Sequence, residues 1–258
     1  MARYVFSDLH AQTNLWEQIK NYIKEDDELI FLGDAVDRGP GGITILQEVL
    51  ADPRITMLRG NHEDFIINND DYMWYINGGN GTKEAIEVLT DIERQKLIKK
   101  LKSLPDIIEI DNIEGKHLVL CHAGTDPWMT KRDLELMGRK DPYVWDRRHI
   151  YGDWSSKPEF KDTYVIHGHT PVTAEPALIK WMDPKLPGDE NYDPKYTPRV
   201  SRYCRGHKIC IDMGCFYTGR TCLFNIDTFE AIYFESEDIC KKDLTNSSLN
   251  SYFTCKFS

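Results

Sequence analysis

No stretch of the 258 residues approaches the roughly 20 consecutive apolar side chains of a membrane-spanning helix, so no bilayer span is expected. Met1-Ala2-Arg3 leads directly into a strand-like run, without the basic segment and apolar core of a secretory leader, and a cytoplasmic location is expected. The seven cysteines form an odd set with no C-x-x-C pair, which argues against a disulfide framework and for reduced thiols. A tetrahedral zinc site from Cys204, Cys210, Cys215 and Cys222 would match no usual ligand spacing. Basic residues are outnumbered, 32 to 42, and the formal charge of −10 argues against a general nucleic-acid binder. It leaves room for one locally positive cleft. Internal repeats and low-complexity segments are absent, and a hydrophobic fraction of 41% is ordinary for a globular protein. A single domain over 1–258, monomeric, is the expectation.

What the chain does contain is five polar runs, each directly behind an apolar one. They are Asp8-Leu9-His10, Gly33-Asp34-Ala35-Val36-Asp37-Arg38-Gly39, Gly60-Asn61-His62-Glu63, His122-Ala123-Gly124 and His167-Gly168-His169. The preceding runs, Tyr4-Val5-Phe6, Leu29–Leu32, Ile55–Leu58, Leu118-Val119-Leu120 and Tyr164-Val165-Ile166, read as buried strands. Open α/β sheets place their chemistry beyond the carboxyl ends of their strands. Side chains distant in sequence are therefore expected to meet on one rim as a metal site, with two metals favoured.

The surrounding pattern supports an α/β fold. Leu15, Ile19, Tyr22 and Ile23 share a helical face, flanked by Trp16, and a second helix is expected from about Gly42 to Leu50. This βαβαβ opening predicts a largely parallel sheet. The stretch 63–103 reads as helical with a break at Asn77-Gly78-Gly79-Asn80-Gly81. Strands are expected around Ile107–Asp111 and His117–Cys121, then at Lys208–Met213, Thr221–Ile226 and Phe229–Phe234, the last group antiparallel. Residues 125–162 read as loops and short helices wrapping the rim. The proline- and charge-rich stretch 183–206 reads as a lid or insertion loop, and the end from about 239 as a polar tail.

Mn²⁺, Fe²⁺ and Zn²⁺ accept carboxylate, imidazole and amide oxygen together. Asp8 and His10, two apart in an extended segment, can chelate one ion. Asn61, His122 and His169 can hold a second, and Asp34 is placed to bridge the two. Each motif alone has a plainer reading: a solvated strand end for Asp8 and His10, turn chemistry for Gly33-Asp34 and Gly39, an N-cap for Asn61, hydrogen-bonded core imidazoles for His122 and His169. Five such constellations in order, all at strand ends, favour the metal site.

The order D-x-H, G-D-x-x-D-R-G, G-N-H-E, H-A-G, G-H-T resembles the calcineurin-like metallophosphoesterase superfamily. The D-R-G and N-H-E extensions resemble its PPP-type serine/threonine phosphatases in their compact bacterial and phage form, and diadenosine tetraphosphate hydrolases share much of the signature. The resemblance covers about Arg3–Thr173 and resumes at Ile211-Asp212-Met213-Gly214. It implies a metallophosphoesterase β-sandwich of mixed sheets flanked by helices. It also implies two divalent ions, Mn²⁺ foremost with Fe or Zn as alternatives: one held by Asp8, His10 and Asp34, the other by Asp34, Asn61, His122 and His169. In the implied mechanism a metal-bridging hydroxide attacks, His62 is the general acid, and Asp37 orients it and raises its pKa. Arg38 clamps phosphate oxygens, and a second arginine is expected in Val144-Trp145-Asp146-Arg147-Arg148, with Arg147 preferred to Arg148. Pro171 stands where wider-family phosphodiesterases carry a further histidine, so His167 is read as a strand or supporting residue. His117, His149, His207 and Arg59 are read as structural.

The leading expectation is a phosphomonoesterase acting on phosphoserine or phosphothreonine in proteins, although the eukaryotic-type S-A-P-N-Y segment is absent. The alternative is a dinucleoside polyphosphate or other nucleotide phosphohydrolase, with Trp128, Trp145, Trp154 and Trp181 as possible base-stacking residues. An inactive phosphopeptide-binding module would require a lost ligand or acid, and none is lost. Partners are thus a phosphorylated protein or a small phosphorylated substrate.

Overall fold

The computed structural model describes residues 1–69, 71–138, 141–184 and 193–236. The chain opens as expected: β1 (Arg3–Phe6), α1 (Thr13–Tyr22), β2 (Glu28–Phe31), α2 (Thr44–Ala51) and β3 (Ile55–Met57). The helical stretch resolves into α3 (Asn61–Asn68), α4 (Asp71–Ile76), α5 (Asn80–Glu87) and α6 (Asp91–Lys102). Thr90 and Glu93 cap the last one reciprocally, the Thr90 hydroxyl accepting from Glu93 N–H at 3.3 Å and Glu93 accepting from Thr90 N–H at 2.8 Å. Then come β4 (Ile107–Asp111), β5 (His117–Cys121), the short helices α7 (Lys131–Leu136) and α8 (Pro142–Trp145), and β6 (Thr163–His167). The remainder is α9 (Pro176–Ile179), β7 (Ser201–Tyr203), β8 (Lys208–Cys210), α10 (Cys215–Thr218), β9 (Arg220–Asn225) and β10 (Ala231–Glu235).

Two five-stranded mixed sheets result, in the orders β10-β9-β1-β2-β3 and β4-β5-β6-β8-β7. In the first, β1, β2 and β3 run parallel (Val5 opposite Ile30, Ile30 opposite Thr56). In the second, β5, β6 and β8 run parallel (Val119 opposite Val165, Ile166 opposite Ile209). Alternation along each strand divides its side chains between two layers. Val5, Leu32, Leu58 and Phe224 meet Leu118, Leu120 and Ile166 between the sheets. Tyr4, Phe6, Leu29 and Phe31 point the other way, onto Leu15, Trp16, Ile19, Leu46 and Val49 of the helices. Phe6 stacks on Phe31 with centroids 4.5 Å apart. The outer face of the second sheet is covered differently, by loops and short helices: Trp154 lies on Val119 and Val165, and Leu134 and Tyr143 on Cys121.

Two expectations are corrected. The segment beginning at Lys208 does not join the antiparallel C-terminal strands: β8 runs parallel to β6 in the second sheet, and only β9 and β10 pair antiparallel beside β1. Its apolar texture was equally compatible with either partner. The stretch 183–206 includes a strand, β7, on the edge of the second sheet, where Met182 also pairs with Ser201. Residues 185–192 and the tail lie outside the described residues. Among the described residues, no helix is long and apolar enough to cross a membrane.

Candidate metal centre and phosphate site

The parallel strands β1, β2, β3, β5 and β6 all end at one rim, and the five motifs meet there. Asp34 is the hub. Its Oδ1 lies 3.5 Å from His122 Nε2, and its Oδ2 lies 3.8 Å from both His10 Nε2 and His62 Nε2. Two buried groups of potential ligand atoms, His10/Asp34/His62 and Asp8/Asp34/His122, lie within 4.8 Å among themselves, and both contain Asp34. Neither involves a cysteine. Asp8 Oδ1 stands 4.0 Å from His10 Nε2. Asn61 Oδ1 stands 2.9 Å from His122 Nε2 and 2.7 Å from His169 Nδ1, and the two imidazole nitrogens are 3.2 Å apart.

These donor atoms fit a cation. His122 Nδ1 faces the Leu32 carbonyl at 2.9 Å, so the proton of the neutral ring sits there and Nε2 presents a lone pair. That lone pair points at another acceptor, Asn61 Oδ1. His169 Nε2 is buried and finds no hydrogen-bond partner among the described residues. Likewise His10 Nδ1 faces Val36 O at 3.1 Å, leaving Nε2 as the inward lone pair. Burial, followed by nearby Arg38 for His10 and Arg147 for His169, holds both imidazoles well below the usual range, hence neutral and able to ligate. Burial and then Asp8 and Glu63 push the Asp34 carboxyl well above its usual range. A divalent ion resolves both problems at once, the crowded carboxylates and the facing lone pairs.

The loops that carry these groups are bent into unusual backbone conformations. Asp8, His10, Asp34, Asp37, Arg38 and His169 all have φ between +44° and +71°, each such residue costing on the order of 1–3 kcal/mol. Glu63 compensates in the first sheet's half. Its buried carboxylate accepts from the N–H groups of Asp34, Ala35 and Gly60, each at 2.9 Å. Gly60 has no room for a side chain, since a Cβ would collide with Asp34 Oδ1. A Cβ on Gly168 would similarly strike Ser7 and Asp8, whose Oδ2 accepts from His169 N–H at 3.0 Å.

His62 and Asp37 form a second layer of the site. His62 Nδ1 meets Asp37 Oδ2 at 2.6 Å, and the Trp74 indole N–H donates to both Asp37 oxygens at 3.0 Å. Arg38 donates to His10 Nε2 at 2.7 Å and His62 Nε2 at 3.0 Å. The expected elevation of the His62 pKa meets a stronger opposing effect: burial, then Arg38, holds His62 well below its usual range. Burial also raises Asp37, to about 6. At rest, then, His62 is neutral with its proton on the Asp37 side.

Of the two arginine candidates, Arg147 turns inward and Arg148 outward. Arg147 Nε donates to Thr170 Oγ1 at 3.2 Å, beside His169, whereas Arg148 is exposed and pairs with Asp146 at 2.7 Å. Burial and then Arg38 lower the Arg147 pKa, the signature of two guanidinium groups converging on one space. Arg59 binds Asp64 and Asp106, each at 2.7 Å, and Asp64 accepts from Trp145 at 3.1 Å. His117 sits on the surface between Glu109 and Asp111.

Several contributors escaped the sequence reading. Asp212, quoted in the resemblance but given no role there, follows β8 at the same rim, buried, its carboxyl pushed well up by burial and then by Asp8. Its position behind a sixth apolar run was the available signal. Trp74 offered none. Beneath the second half of the site lies a buried polar network. Lys208 Nζ donates to Gly152 O at 2.9 Å, to His149 O, and to Asp126 Oδ1 at 3.2 Å. Tyr203 OH joins His167 Nε2 at 2.7 Å to His149 Nδ1 at 3.3 Å.

Comparisons with known proteins agree with this geometry. A serine/threonine-protein phosphatase 2 from Escherichia coli K12 is 32% identical over 130 residues, which span 46% of this chain and 57% of that relative. A symmetrical bis(5'-nucleosyl)-tetraphosphatase from Erwinia tasmaniensis is 28% identical over 258 residues, 85% of this chain and 92% of that one. The solved structure of a metallophosphoesterase from Sphaerobacter thermophilus shares the fold, with a TM-score of 0.55 at 19% identity, covering 98% of each chain. The model of the calcineurin-like phosphoesterase family matches residues 1–210, and the chain belongs to that family.

Proposed function

We propose that the protein is a dinuclear-metal phosphohydrolase whose substrate is a dinucleoside polyphosphate or a related nucleotide. The observation that carries the hydrolase reading is the shared position of Asp34 in two buried ligand groups on one rim. Asp8, His10 and Asp34 would hold one ion, and Asp34, Asn61, His122 and His169 the other. Two divalent ions there, Mn²⁺ foremost, supply Lewis acidity toward phosphate oxygens and an activated water.

The chain's own residues do the rest. Arg38 and Arg147 converge from the two sheets to bind the phosphate and fix its orientation. Turning Arg38 from the histidines onto phosphate frees His62 Nε2, which takes up a proton from solvent as the phosphate's negative charge offsets the burial and the Arg38 repulsion that kept the ring neutral. His62 then donates a proton from Nε2 to the leaving oxygen while Asp37 steadies Nδ1. Trp74 fixes Asp37 in turn.

Two observations support the nucleotide substrate: similarity to the tetraphosphatase runs along 85% of the chain, against 46% for the protein phosphatase, and exposed tyrosines stand beside the site. A phosphoserine or phosphothreonine substrate is the second reading, supported by the D-R-G and N-H-E motifs and the 32% identity. The test is the kinetics of Mn²⁺-loaded protein on diadenosine tetraphosphate beside a phosphothreonine peptide. A kcat/KM higher by about 100-fold on the nucleotide, roughly 2.7 kcal/mol of transition-state preference, is expected. The opposite ratio moves the assignment to the protein phosphatase. His62→Asn, with metal content retained, should lower kcat by about 10²–10⁴ on either substrate.

A further inference from the structure

Beside the site, α4 and the start of α5 enclose an open cavity of about 450 Å³. We propose that it is a nucleoside subsite, in which a base stacks on Tyr72 and Tyr75 while its phosphate chain runs to Arg38. The inference rests on the nucleotide reading above and deepens it.

The cavity is built from the same residues that brace the reaction centre. Trp74, which lines it, donates to Asp37. Gly78, next in the chain to the lining residues Gly79 and Asn80, accepts the Arg38 backbone N–H at 2.9 Å, and a Cβ added to it would lie 3.0 Å from Arg38 Cγ. The Trp74 ring lies so close to Gly79 that any Cβ there would collide with it. A group in the cavity is therefore one short step from the phosphate arginine. The volume lies within the usual range for small-molecule sites.

Its chemistry suits a base. Tyr72 and Tyr75 are 72% and 65% exposed, three apart on one helical face, and both line the cavity. Two large aromatic rings left in water beside a catalytic centre offer π-faces, and base–aromatic stacking tolerates any base. Asn80 brings an amide with both donors and an acceptor, fit for a base edge. Lys83 supplies a cation at the rim. It is paired at 2.7 Å with Asp71, but both are exposed, so that pair is weak and readily gives way to a polyphosphate. Trp128 and Trp154, by contrast, are packed together over the second sheet with Phe160.

The experiment compares the Mn²⁺-loaded full chain with Tyr72→Ala/Tyr75→Ala and with Tyr72→Phe/Tyr75→Phe. The substrates are diadenosine tetraphosphate, a phosphothreonine peptide and p-nitrophenyl phosphate. The alanine pair should raise KM for diadenosine tetraphosphate at least 10-fold, about 1.4 kcal/mol, with kcat within about 2-fold. The phenylalanine pair should restore it, and the other two substrates should be unaffected by either. An unchanged KM on diadenosine tetraphosphate overturns the subsite alone. A loss confined to the peptide gives the cavity to a peptide side chain and overturns it too. An equal loss on all three substrates means that the tyrosines act only through the fold. Wild type that cleaves p-nitrophenyl phosphate but not diadenosine tetraphosphate overturns the nucleotide reading, and the subsite falls with it.

Discussion

The half of the site carried by the first sheet is held mainly through backbone groups, whereas the half carried by the second leans on buried side chains. In the first, Glu63 gathers three N–H groups, and the helices α1 to α6 cover the sheet behind it. In the second, Lys208, Asp126, His149, Tyr203 and His167 form a polar layer under His122, Arg147 and His169, among loops and short helices. The first arrangement ties the ligand loops through their backbone to one carboxylate, that of Glu63. The second places a buried charge at the centre of its support, where losing one member strands another.

The comparison has sharp consequences. Asp34 belongs to both halves, so Asp34→Asn should abolish activity and reduce metal content at both positions, measured by elemental analysis beside turnover. Loss of one ion only would mean that the halves bind independently. Next, Lys208→Met should destabilise the fold by about 3–5 kcal/mol, because Asp126 is left buried without its cation. Lys208→Met/Asp126→Leu should recover most of that loss in a denaturant titration. Ion-loaded Lys208→Met should also bind inorganic phosphate more weakly through a displaced Arg147, while Asp8 and His10 keep their ion.

The first half should instead reveal itself through pH. Burial raises the Glu63 carboxyl from 4.5 to about 7. Between those values the native state holds a proton that the unfolded chain has released, so stability falls as pH rises through this window. Chelator-treated protein should show that slope in urea titrations, and Glu63→Gln should reduce it most between about pH 6 and 7, above the Asp37 value of about 6. A slope that survives the substitution would assign the effect to other buried acids such as Asp37.

Legibility in the sequence follows the same division. Asp8, Asp34, Asn61, His122 and His169 could be read because each stands directly behind an apolar run, and strand direction alone carries them to one rim. The first three strands and their helices were visible by periodicity. Lys208 could not be read, since a lysine at the head of a short strand looks like a surface residue. Only the packing of Asp126, His149 and Gly152 over the second sheet buries it. Trp74 was hidden for the same reason: its bond to Asp37 depends on how α4 turns back after α3. The partner of β8 was likewise undetermined, since a short apolar segment does not record which sheet it will join. Arg147 and Arg148, adjacent and identical, were ranked by the sequence, and the bend that turns one inward then separates them.

The ligand shell is divided between sheets that touch through Val5, Leu32 and Leu58 on one side and Leu118, Leu120 and Ile166 on the other. His122 reaches back across that layer to the Leu32 carbonyl, and His169 N–H to Asp8. The apolar layer therefore acts as a caliper. Its thickness sets how far Asp8 and Asp34 on one side stand from His122 and His169 on the other, so methyl groups that touch none of these side chains fix the spacing between them.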